Sequence, residues 1–73
     1  MKVWRRISPG GSIRPGLSYD TITEIDEAGN YCSRNVWSDG KESVVYRSTL
    51  SEMGWPSIEA FLREKRGFTL LEK

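Results

Sequence analysis

Seventy-three residues make one domain, and a chain of that size hides only about 60% of its unfolded surface, so its core must be small. A net charge of +1, with 37% hydrophobic and 29% charged residues, excludes a disordered chain and gives no global pull toward nucleic acid or a membrane. The absence of histidine beside a lone cysteine, Cys32, removes Ser–His and Cys–His couples, intrachain disulfides and most transition-metal chemistry.

No run of about 20 apolar residues is present to span a bilayer, and residues 1–6 lack the apolar stretch of a signal peptide. A soluble cytoplasmic protein with no membrane partner is the expectation. The charges are uneven: Lys2, Arg5, Arg6 and Arg14 precede any acid, whereas Asp20, Glu24, Asp26 and Glu27 follow without a base. Neighbouring strands that neutralise one another account for that pattern.

Residues 2–7 alternate, with Val3, Arg5 and Ile7 on one face and Lys2, Trp4 and Arg6 on the other. Charge on both faces predicts a short edge strand. Residues 8–16 hold two prolines and three glycines, a composition that predicts a loop. Glycine-rich backbone beside Arg14 invites comparison with a phosphate cradle, but the Gly-Lys-Ser/Thr ending is missing.

The centre of the chain, residues 17–49, predicts an antiparallel meander. Residues 17–26 place Tyr19, Thr21, Thr23 and Ile25 on one face and Asp20, Ile22, Glu24 and Asp26 on the other. Gly29-Asn30 supplies a turn, and the length of that turn, which the residues leave open, decides which face of the third strand Ile25 joins. Residues 31–37 and 42–48 form the next two strands. Asp39-Gly40 predicts a two-residue loop between them, which sets Trp37 opposite Glu42, Asn35 opposite Val44 and Ser33 opposite Tyr46. Tyr31, Trp37, Val44 and Tyr46 then share the face to be buried. Cys32, Arg34, Val36, Val45 and Arg47 share the other, an apolar strip bordered by guanidinium groups.

Thr49-Leu-Ser-Glu52 fits a capping box that Gly54 ends. Pro56 suits the first position of a helix over residues 56–66, in which Ile58, Phe61, Leu62 and Lys65 form a stripe over Trp37 and Tyr46. Residues 68–72 predict a short last strand of open placement, available to another subunit. The fold class is therefore α+β: a small antiparallel meander of three to five strands with one C-terminal amphipathic helix on one face.

No residues group as an acid, base, nucleophile or cofactor cradle, so neither an enzyme nor a cofactor is expected. Asp26-Glu-Ala-Gly-Asn30 reads as a turn and not a calcium loop, and Cys32 as a packing residue. The function expected first is a protein-interaction module, a regulatory or adaptor subunit or a stoichiometric inhibitor of the kind that phages and mobile elements also carry. Its partner-binding residues would be Arg34, Val36, Val45 and Arg47 on the strip, with Trp4, Arg5, Arg6 and Arg14 on the basic arm. A homodimer or higher oligomer is expected as well, since the strip and the last strand both gain from being covered. The alternative is single-stranded nucleic-acid binding, with Trp and Tyr stacking on bases and Arg tracking phosphates.

Overall fold

The computed structural model describes residues 1–71. Five antiparallel strands, β1 (Val3–Arg14), β2 (Leu17–Asp26), β3 (Asn30–Trp37), β4 (Glu42–Thr49) and β5 (Thr69–Leu71), lie in the order β4-β3-β2-β1-β5, and one helix, α1 (Ile58–Glu64), precedes β5. The α+β meander read from the sequence is the fold. Glu72 of the anticipated last strand lies outside the described residues. Phe68 precedes the strand, and Thr69–Leu71 pair within their own chain, Val3 with Leu71 and Arg5 with Thr69. Over those residues β1 is therefore an interior strand and not the edge that its charges implied.

The proline- and glycine-rich stretch is not a loop. β1 runs through it and turns only at Pro15-Gly16, with Arg14 opposite Leu17 and register shifts between Pro9 and Gly11 and between Ser12 and Arg14. The physical reason lies in the hydrogen-bond alternation. Glu27 N–H donates to the Lys2 carbonyl at 3.0 Å, so every second β1 residue from Lys2 faces β2 with its polar backbone, and Pro9, paired with Asp20, does not. Its missing N–H would point past the end of β5, where a sheet tolerates proline.

At the following bulge, Gly10 lies under the Tyr19 ring, and a Cβ there would sit 1.9 Å from Tyr19 Cε2. That close approach lets Tyr19 lean on Trp37, with ring centroids 4.8 Å apart. Gly10→Ala is expected to push the ring off Trp37 at a cost of about 1–3 kcal/mol. A near-UV circular dichroism spectrum and melting curve both unchanged from the wild type would refute this packing.

Both inner hairpins use the same three-residue loop. Gly29 N–H donates to the Asp26 carbonyl and Gly40 N–H to the Trp37 carbonyl, each at 2.9 Å, with φ of 91° at both glycines. That is a turn closed by a left-handed residue, a conformation in which a side chain is strained. The first loop sets Ile25 opposite Tyr31, which resolves the face left open in the sequence. The second is one residue longer than anticipated, so Trp37 N–H meets the Lys41 carbonyl and Val36, not Trp37, faces Glu42. An extra residue at Val45 then restores the register, and Ser33 does oppose Tyr46. Between loop and bulge the correction is complete: Asn35 pairs with Ser43, and Val44 pairs with Arg34 on the face opposite the one assigned to it.

The core sits under α1 at one end of the sheet. Ile25 is 0% and Phe61 3% exposed, and they are the buried apolar side chains among the described residues. Phe61 meets Tyr31, Trp55 and Phe68 edge-on at 6.1, 5.6 and 5.4 Å between centroids. The helix thus covers Tyr31 and not Trp37 and Tyr46, and Tyr46 stays 50% exposed. Beside Ile25, the buried hydroxyls of Thr23 and Ser33 satisfy each other at 3.3 Å.

The helix is also shorter than its stripe. Ser57, extended at φ −163°, caps it by accepting from the Ala60 N–H at 3.1 Å, and Lys65 ends it. Pro56 therefore stands outside the helix and residues 65 and 66 follow it. The earlier cap pattern forms in part, around the turn that precedes the helix: Glu52 N–H donates to Thr49 Oγ1 as expected, whereas the Glu52 carboxylate accepts from the Thr49 hydroxyl, each at 3.1 Å.

Candidate functional site

With α1 on the Tyr31 face, the other face of the sheet is left without a helix among the described residues. Strand registers place its side chains in rows. One row runs Thr69, Arg5, Glu24, Cys32, Arg47, and the next runs Ile7, Ile22, Arg34, Val44. A third holds Pro9, Asp20, Val36 and Glu42. Ile7 and Val44, at the two ends of the middle row, are 58% and 53% exposed.

A chain of ions crosses these rows diagonally. Arg5 Nη2 and Arg34 Nη1 approach the two oxygens of Glu24 at 2.8 and 2.6 Å, and Arg34 Nε lies 3.1 Å from Glu42 Oε1. Glu24 is the hub. The hydrogen bond from Arg34 holds its carboxyl below the ordinary 4.5 against the opposing effect of burial, with Arg5 adding to the lowering. The same bond raises the guanidinium of Arg34. Of the basic arm and the acidic strand, Arg5 and Glu24 pair across neighbouring strands as the charge pattern predicts, while the second partner of Glu24 comes from β3.

A lowered folded pKa means that Glu24 contributes stability above its unfolded value, and the contribution is lost as the pH falls through the folded one. The melting temperature of the wild type should therefore exceed that of Glu24→Gln at neutral pH. The gap should narrow below pH 4.5 and close at the acid end, where both side chains are uncharged. An offset that stays constant down to the acid end would refute this role.

The anticipated binding residues do not form one site. Arg34 is not at the border of the strip but inside it, between Ile22 and Val44, and its charge is committed to Glu24 and Glu42. Val36 is on the open face, half-buried, and Val45 is the extra residue of the bulge, 57% exposed. Arg47 is exposed on β4 and makes no ion pair among the described residues.

The basic arm splits between faces. Arg5 joins the ions, whereas Trp4, opposite Ile25 and Leu70, belongs to the helix side. Arg6 is there too, its guanidinium carbon 4.8 Å from the Phe68 ring centre and its Nη1 3.4 Å from the Arg66 carbonyl. Arg14 is exposed at the tip of the β1–β2 hairpin, away from the others. Arg5, Arg6 and Arg34 are thus engaged within the chain.

Trp55 and Phe68 were not assigned to the core because they flank the helix, one before Pro56 and the other in the expected last strand, although positions 55, 58, 61, 65 and 68 continue the spacing of its stripe. Cys32 is half-buried and free, in a shallow open concavity that also includes Val3, Glu24, Asp26 and Arg47. Among the described residues no three cysteine or acidic side chains group to hold a metal ion, and no helix is long and apolar enough to cross a membrane. No protein family, curated protein or solved structure matches the chain.

Proposed function

We propose that this protein is a small non-catalytic interaction module, a regulatory or adaptor subunit or stoichiometric inhibitor, which binds another protein through its open sheet face. The observation that carries the reading is the row Ile7, Ile22, Arg34, Val44, apolar at both ends and held at its centre by an arginine that Glu24 fixes in place. Two exposed aliphatic groups on a hydrogen-bonded sheet offer contact area whose ordering cost was met on folding. The immobilised guanidinium adds direction without having to be frozen on binding.

Ile7→Asp tests the reading, because Ile7 is exposed and its replacement leaves the core intact. Affinity capture from the source cell, followed by titration of the protein recovered, is expected to show binding weakened roughly tenfold or more, which corresponds to 1.4 kcal/mol. The melting temperature should stay near that of the wild type. Unchanged affinity would place the interface elsewhere, and binding to a polyanion that weakens steeply with salt would favour the nucleic-acid alternative.

A further inference from the structure

Strand edges attract other strands, and proteins commonly blunt them with charge, proline or short length. β5, at one edge, has three residues, but β4 at the other has eight. Between Glu42 and Arg47 it carries Ser43 and then Val44, Val45 and Tyr46, each at least half exposed. The bond from Trp37 N–H to the Lys41 carbonyl sets the alternation on this strand. By it, Glu42 and Val44 turn their backbone groups to the open edge, and past the extra residue Val45 so do Arg47 and Thr49.

We propose that β4 pairs antiparallel with β4 of a second copy, across a twofold axis between Val44 and Val45, so that two sheets join into one. A twofold axis normal to a sheet preserves its faces, so residues brought opposite each other must already share a face. Glu42 and Arg47 are five apart and would be on opposite faces of a regular strand. The bulge at Val45 puts both on the open face, opposite Val36 and Cys32.

In this register Glu42 meets Arg47 of the second copy, twice by symmetry, and Ser43 meets Tyr46. Arg47 has no ion-pair partner among the described residues, and Glu42 uses one oxygen toward Arg34. A slip of two residues either way opposes Glu42 with Thr49 or Val45 and leaves Arg47 unmatched. Charge therefore selects one register, while Val44 and Val45 meet at its centre.

Sedimentation equilibrium of the full chain is expected to give twice 8.4 kDa. Val44→Pro removes only an outward N–H and should yield a folded monomer. Arg47→Glu should weaken the dimer at least roughly tenfold, through a like-charge contact repeated twice, and Glu42→Lys combined with Arg47→Glu should restore it. If Val44→Pro unfolds the protein, Arg47→Glu decides alone, since Arg47 is exposed and makes no ion pair among the described residues. A monomer at high micromolar concentration overturns the proposal, and so does a dimer that Arg47→Glu leaves as tight as the wild type.

Discussion

Phe61→Ala is expected to remove about 3–5 kcal/mol of stability, the largest loss of any single truncation in the chain. Phe61 is 3% exposed and its ring is met by Tyr31, Trp55 and Phe68. Three edge-on neighbours cannot close over the void together, because Tyr31 is fixed in β3 and Trp55 is held by its N–H to the Leu50 carbonyl at 2.9 Å. Domains carry on the order of 0.05–0.15 kcal/mol per residue, so a chain of this length stands close to the limit that such a loss would exhaust. Urea titration should show a midpoint shifted far down or no folded baseline. A shift of under about 1 kcal/mol would mean that α1 is not what covers the sheet.

Ile25→Ala should cost about 2–5 kcal/mol, from the opposite wall of the same core. Ile25 has no exposed surface, stands between Trp4 and Tyr31 in the sheet, and its methyl groups have no substitute nearby, since the adjacent buried side chains are the hydroxyls of Thr23 and Ser33. The two truncations should not add independently, because Tyr31 borders both voids. The double variant is expected to be unfolded in the absence of denaturant. If Ile25→Ala melts like the wild type while Phe61→Ala does not, the core is confined to the aromatic cluster and the sheet contributes only a platform.

These two positions also mark what was legible in the sequence. Phe61 announced itself by spacing, as the centre of a helical stripe, and the alternation of β2 put Ile25 on a face with Thr21 and Thr23. Composition misled where the backbone obeyed a different constraint. Pro9 signalled a break, yet its ring occupies a position where no N–H toward β2 is needed, and Gly10 serves a close approach to Tyr19 and not a loop. The register of β4 was unreadable for another reason. A loop one residue longer and a one-residue bulge at Val45 cancel, so a pattern of side chains alone matches either arrangement near Ser33 and the wrong one near Asn35. The candidate site suffered most from this. Val44 moved to the open face, Val45 became the unpaired residue of the bulge, and Arg34 moved from the rim of the strip into the middle of an ion chain that needs β1, β2, β3 and β4 together.

The molecule measures 42 × 25 × 19 Å, and its buried apolar side chains are gathered at one end of the long sheet. The β1–β2 hairpin runs away from them, past the last β3 partner at Tyr19, to a tip that Ser38 ties down through Ser18 and the Gly16 carbonyl. Amide protons should accordingly report a gradient along a single strand. In β2, those near Ile25 should exchange with deuterium only when the whole molecule opens, whereas those near Ser18 escape through local fraying that leaves the core closed. Ser38→Ala would steepen that gradient without moving its slow end. One polypeptide segment would thus combine a part that reports global unfolding with a part that opens on its own.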